Sequence, residues 1–181
     1  MSRIMRAALV ACASAAALVC GASTAHAADQ STARPALDAS SYVRLQSEYT
    51  KKCLTIVNGS LREDAYAVDG TCSAEADHQL FRLRPVGGAI FELMAKHSGR
   101  CLTRPENLSG VVQQWCSAGS GQRWKVTLVE VAKELYELRP VDRPGECLSV
   151  GGQAPGEEPT AYIVNCYNLP SQRWRFLPAA S

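Results

Sequence analysis

The residues with the widest chemical range in this 181-residue sequence are its eight cysteines. Cys12 and Cys20 lie in an alanine-rich stretch near the start. The other six are Cys53, Cys72, Cys101, Cys116, Cys147 and Cys166. Thiols in such number could ligate a metal, act as nucleophiles or pair as disulfides. Zinc sites use tight Cys-x-x-Cys knuckles, and no two of these six stand that close. An even number in an exported chain points to disulfides, with no thiol left as a nucleophile. Count alone permits many pairings. Acid–base chemistry is poorly supplied: His78 adjoins a Gln79 triplet, His97 lies in a turn stretch, and neither falls into a nucleophile–base pattern. Glu157 and Glu158 are adjacent carboxylates in a Gly/Pro-rich loop. Glycosidase carboxylates must instead flank a substrate, so this pair is expected to be solvated. The sequence predicts no enzyme, no cofactor and no metal.

Internal repetition organises these residues. Lys52-Cys53-Leu54-Thr55, Cys72 and Gln79-Leu80-Phe81 match Arg100-Cys101-Leu102-Thr103, Cys116 and Gln122-Arg123-Trp124. Both match Glu146-Cys147-Leu148-Ser149, Cys166 and Gln172-Arg173-Trp174. The leading cysteines stand 48 and 46 residues apart (101 − 53, 147 − 101). An apolar-x-apolar triplet precedes each: Val43-Arg44-Leu45, Phe91-Glu92-Leu93 and Tyr136-Glu137-Leu138. With three equal units, pairing within each unit is the economical arrangement: Cys53–Cys72, Cys101–Cys116 and Cys147–Cys166. If unstrained, each bridge contributes roughly 3 kcal/mol by constraining the unfolded chain.

Within each unit apolar and polar residues alternate with a period of two, the pattern of half-buried strands. Glycine and proline clusters such as Asn58-Gly59-Ser60 and Ala118-Gly119-Ser120-Gly121 punctuate them. Val126 to Leu138 could pass as a helix by propensity, but its alignment with the other units predicts two strands and a turn. The expected fold is all-β, with three repeats of about four strands around a pseudo-threefold axis. No unit of this size can bury an apolar face alone, and closure removes free sheet edges. A propeller would want more blades, and a linear solenoid shorter repeats. Phe81, Trp124 and Trp174 are predicted to fill the shared core. The glutamine two residues before each is predicted to satisfy backbone groups in the turns.

The beginning of the chain reads differently. Arg3 and Arg6, an apolar run from Ala7 to Val19, and Ala25-His26-Ala27 follow the basic, apolar, small-x-small order of a secretory leader. Residues 1–27 are therefore expected to be removed, residues 28–41 to form a flexible lead-in, and residues 42–181 to fold. Cys20 is a poor lipidation site, because Ala17 stands three residues before it and Val19 one before. Loss of Arg3 and Arg6 lowers the basic count from 19 to 17, equal to the 17 acidic residues. A neutral chain lacks the basic stripe that phosphate backbones require, so nucleic acid is excluded as a partner. No further apolar run is long enough for a membrane helix. A secreted monomer is expected. Asn58-Gly59-Ser60 and Asn107-Leu108-Ser109 match glycosylation sequons, but the leader has a bacterial character and the motif is short.

Cys-Leu, a second cysteine and Gln-x-Trp, three times over, resembles the ricin B-type lectin family, whose members also serve as carbohydrate-binding modules. The resemblance covers about Tyr42 to Leu177. It implies a β-trefoil, a six-stranded barrel capped by three hairpins, and a glycan or polysaccharide as ligand. It also implies a sugar site in each repeat. An Asp follows Cys-Leu, an aromatic precedes the second cysteine, and an Asn or Gln completes a polar ring. Here the Asp position holds Thr55, Thr103 and Ser149, and a hydroxyl is a weaker acceptor than a carboxylate. In the first unit Ala67-Val68-Asp69-Gly70-Thr71 supplies no aromatic beyond Tyr66, so that unit is expected to be structural. In the second, the candidates are Thr103, Gln114, Trp115 and Gln122, with Trp115 directly beside Cys116. In the third they are Ser149, Tyr162, Asn165, Asn168 and Gln172, the fullest polar and aromatic set. The expected order of binding strength is third, second, first. The rival expectation is a degenerate trefoil that grips a protein or cell-wall partner through its loops, as an inhibitor would. The loss of all three Asp residues favours that rival.

Overall fold

The computed structural model describes residues 41–108, 110–151 and 159–179. The leader, the lead-in up to residue 40, Cys12, Cys20, Ser109 and the Glu157–Glu158 pair lie outside the described residues. The first repeat contributes β1 (Tyr42–Ser47), β2 (Cys53–Ile56), β3 (Ala65–Gly70) and β4 (Phe81–Gly87). The second contributes β5 (Ile90–Ala95), β6 (Cys101–Thr103), β7 (Val112–Gln114) and β8 (Trp124–Glu130). The third contributes β9 (Leu135–Pro140), β10 (Glu146–Ser149), β11 (Tyr162–Asn165) and β12 (Trp174–Pro178). The Val126–Leu138 stretch is two strands and a turn, because alternating burial along β8 and β9 serves a sheet and not a helix.

The first and last strands of each repeat form a closed antiparallel barrel of six, in the order β12-β9-β8-β5-β4-β1, with β1 pairing back onto β12. The middle strands form three hairpins, β2–β3, β6–β7 and β10–β11. This is a β-trefoil. Its axis is marked by a cyclic set of backbone hydrogen bonds. Ala67 N–H donates to Val111 C=O, Val111 to Ala161 and Ala161 to Ala67, each at 2.8 Å. All three residues are fully buried, where an unpaired amide would be costly.

Inside the barrel, Val43, Leu45, Leu83, Leu93 and Leu138 meet Phe81, Trp124 and Trp174, which are all at 0% exposure. Removing such a side chain from water stabilises the fold by roughly 1.5–3 kcal/mol. Each tryptophan also has its indole N–H partnered: Trp124 Nε1 donates to Leu102 C=O at 3.0 Å and Trp174 Nε1 to Leu148 C=O at 3.1 Å. The Cys-Leu strands are thereby bound to the core aromatics. The residue between the two apolar positions points the other way. Arg44 is buried and donates to the carbonyls of Ser73 and Ala74. The three bridges are Cys53–Cys72, Cys101–Cys116 and Cys147–Cys166. Each joins the strand after the first turn to the chain leaving the hairpin.

Candidate functional site

The positions that recur in the three repeats meet beneath the surface of each unit. Antiparallel pairing sets Thr103 of β6 opposite Val112 of β7, and Ser149 of β10 opposite Tyr162 of β11. In the first two repeats the hydroxyl residue then meets the repeat glutamine. Gln79 Nε2 donates to Thr55 Oγ1 (3.0 Å) and Thr71 C=O (2.7 Å), while its Oε1 accepts from Ser73 N–H (2.9 Å). Gln122 repeats this with Thr103 Oγ1 (3.1 Å), Trp115 C=O (2.7 Å) and Ser117 N–H (2.7 Å). Gln172 holds Asn165 C=O and Tyr167 N–H, at 2.7 and 2.8 Å. Thr55 and Thr103 in turn donate to the carbonyls of Cys53 and Cys101. Ser149 donates to Ser171, at its carbonyl and its hydroxyl. All six side chains are buried. Their polar groups close the turn around each disulfide from beneath.

Beside these groups in the second repeat lies a cleft of about 470 Å³. Thr103 and Gln122 form its base with Arg104, and Gln114, Glu106 and Asn107 stand around it. Asp64, which belongs to the first repeat, also lines it; its Oδ1 accepts from Gln114 Nε2 at 2.7 Å. Arg104 is buried and ion-paired with Asp142, so its charge is largely neutralised from below. Gly121 is required here, because a Cβ at that position would lie 2.5 Å from the Arg104 carbonyl oxygen. That carbonyl belongs to the strand edge held by Arg104 N–H donating to Gly121 C=O at 2.8 Å.

A second cleft, of about 320 Å³, lies on the third repeat. Tyr162, Val150, Leu169 and Pro170 line it, together with Tyr49 from the β1–β2 turn of the first repeat. Its walls are mainly apolar. Gly151 has φ +94°, and a Cβ there would meet the Tyr49 ring at 3.2 Å.

The sequence-predicted residues are thus divided. Thr103, Gln114 and Gln122 converge on one cleft, and only Gln114 of the three is partly exposed. Tyr162 lines the other cleft, while Ser149 and Gln172 lie beneath the surface. Asn165 and Asn168 are exposed but line neither cleft. Asn165 Nδ2 donates to the Tyr167 hydroxyl at 3.3 Å, and Asn168 Oδ1 accepts from Arg173. Trp115 points outward at 62% exposure, with the Arg100 guanidinium 4.2 Å from its ring centroid. The sequence ranks the third unit first by its side chains, yet the cleft with carboxylate and amide walls stands on the second. Asp64, Arg104, Glu106 and Tyr49 had no mark in the sequence, and Asn107 was marked only as part of a sequon. Asp64 and Tyr49 reach a neighbouring repeat, which periodicity within one unit cannot reveal.

The first repeat holds a buried carboxylate. Asp69 accepts from Thr50 Oγ1 at 3.0 Å, while Oδ2 has no partner among the described residues. Burial raises its pKa above the ordinary carboxylate value, against the hydrogen bond from Thr50 and the charge of Lys52. Glu48 moves the other way: a hydrogen bond from Lys51 lowers it, aided by Lys51, Arg175 and Lys133 charges and opposed by burial. His97 is lowered by burial, although its Nε2 lies 3.0 Å from Ser60 C=O.

Comparison with known proteins follows this geometry. The family model of the ricin-type beta-trefoil lectin domain matches residues 41–174. Curated proteins yield no sequence match. Among solved structures, the designed three-fold symmetric protein ThreeFoil is 25% identical, with a TM-score of 0.67 over 75% of this chain and 97% of its own. The earthworm lectin C-terminal domain, a mutant in complex with 6′-sialyllactose, is 13% identical, with a TM-score of 0.63 over 76% of this chain and 98% of its own. The exo-β-1,3-galactanase 1,3Gal43A of Clostridium thermocellum is 20% identical, with a TM-score of 0.69 over 77% of this chain but 30% of the galactanase.

Proposed function

This chain belongs to the ricin-type β-trefoil lectin family, and from that premise we propose that it is an exported carbohydrate-binding protein that carries out no catalysis. The observation that carries the reading is the second-repeat cleft, where Gln114, Asn107, Glu106 and Asp64 present planar amides and carboxylates together. Such groups match a sugar's hydroxyls, because a carboxylate acceptor forms stronger hydrogen bonds than a neutral one. Thr103 and Gln122 support this site from below. The third-repeat cleft offers a complementary surface. Tyr49 and Tyr162 can lie against the C–H face of a ring, the usual use of an aromatic with a polar tip. Tyr162 remains the binding candidate of that repeat, with Asn165 and Asn168 at its margin.

Export is supported by the leader pattern and by three disulfides, which persist in oxidising compartments. The absence of catalysis is supported by the two histidines of the folded part: His97 is hydrogen-bonded to Ser60, and its ring meets His78 edge-on at 6.1 Å. The chain is proposed to act as a monomer. A second reading, a protein or cell-wall partner gripped by loops, is favoured by the exposure of Tyr49 (62%), Tyr167 (60%) and Leu169 (47%).

The purified chain is to be tested on a glycan array and on insoluble polysaccharides. Retention on at least one sugar is expected, weakened by Gln114→Ala. Failure to bind any sugar, with a partner captured that sugars do not displace, would replace the lectin reading by the second.

A further inference from the structure

We propose that the second-repeat cleft is a site shared between repeats, in which Asp64 of the first repeat supplies the carboxylate acceptor and makes the cleft prefer neutral or amino sugars over uronic acids. This rests on the lectin reading and adds to it a specificity-determining residue and a ligand class.

The position after Cys-Leu cannot take a ligand hydroxyl in this repeat. Thr103 is buried; its hydroxyl donates to Cys101 C=O and accepts from Gln122 Nε2. Asp64 lines the cleft and is exposed, with Oδ1 accepting from Gln114 Nε2 at 2.7 Å. Its second oxygen is the acceptor assigned to a sugar hydroxyl. The placement is not left to a loose loop. Asp64 N–H donates to Gln113 C=O at 2.9 Å, and Ala65 pairs with Gln113 in the β3–β7 ladder. Gln113 is fully buried, and its Nε2 donates to the carbonyls of Ser60 and Arg62 at 2.7 and 2.8 Å. The loop bearing Asp64 is therefore fastened to the repeat whose cleft it completes, and an acceptor positioned in advance binds with less ordering cost.

Charge sets the class of sugar. Glu106 and Asp64 both line the cleft, and the Arg104 guanidinium is paired with Asp142. The groups turned to the ligand thus carry a net negative charge. A sugar carboxylate would be repelled, whereas hydroxyls and an ammonium would be attracted. At the matching position toward the third repeat the chain carries no carboxylate. Leu108 holds the matching place, eight residues before its cysteine (116 − 108, 72 − 64).

The test uses the purified, isotope-labelled chain titrated with the methyl glycosides of galactose, glucosamine and glucuronic acid. The readout is the side-chain amide signal of Gln114, which touches Asp64. The neutral or amino glycoside is expected to shift it and to bind at least about 10-fold more tightly than the glucuronide. Asp64→Asn should weaken the preferred glycoside about 10-fold, as loss of a hydrogen bond to a charged group does, and narrow the preference over glucuronide. Should Asp64→Asn melt below the parent, Glu106→Gln must narrow the same preference without touching the inter-repeat contact. An unchanged affinity and preference in these variants overturns the proposal, and so does a glucuronide that binds best. Loss of the proposal alone is distinguished from loss of the lectin reading by the glycan array, where sugar binding would persist through another cleft.

Discussion

Replacing Gln122 by alanine separates a supporting role from a ligand contact. The side chain makes hydrogen bonds to Thr103 Oγ1, Trp115 C=O and Ser117 N–H, at 3.1, 2.7 and 2.7 Å. Each is worth about 1 kcal/mol net, and more where its partner stays buried and unpaired, so the loss is roughly 3 kcal/mol. For a domain of this size 1 kcal/mol shifts the melting temperature by about 4 °C, giving a fall of about 12 °C. Gln122→Glu should fall similarly at neutral pH, since it sets a carboxylate against the Trp115 carbonyl. Unfolding is followed by thermal melting under non-reducing conditions, with disulfides intact. Sugar affinity measured well below the melting point should change far less than it does on replacing Gln114. A variant that melts within about 2 °C of the parent would refute the reasoning. A variant that melts normally but loses sugar binding would show Gln122 itself contacting the ligand.

Trp174→Phe should destabilise by about 1–2 kcal/mol in urea unfolding, because it leaves the buried Leu148 carbonyl without the indole donor at 3.1 Å. An unchanged midpoint would mean that this bond contributes nothing net. For pH, the sign follows from His97, whose folded pKa lies below its unfolded value because of burial. The folded state then binds fewer protons, so the contribution is present above an unfolded pKa of about 6.5 and is lost as pH falls through the folded value. Urea midpoints between neutral and mildly acidic pH should drop more steeply for the parent than for His97→Gln, and parallel profiles would remove His97 as the cause.

The trefoil could be read from the sequence because its determinants are local and occur three times. Cys-Leu, the second cysteine, Gln-x-Trp and the apolar-x-apolar triplet each specify a strand, a turn closure or a core side chain within one repeat. The Val126–Leu138 stretch shows the advantage: alignment with sister units outweighed its helical propensity. The same regularity does not tell which of the repeated polar side chains reach the surface. Ser149 and Gln172 look polar in sequence, but they are buried beneath the third repeat and fully used by its turn.

What the sequence determined by itself is what a single unit can enforce: strand count, the pairing of its two cysteines and the inward aromatic. What only the tertiary structure decided is which groups share a surface. Asp64 becomes a partner for Gln114 because β3 pairs with β7 across the axis. Tyr49 completes the cleft of Tyr162 because closure of β1 onto β12 brings the first turn beside the third repeat. The physical reason is that hydrophobic burial closes three incomplete units around one core, and closure alone brings residues from different repeats together.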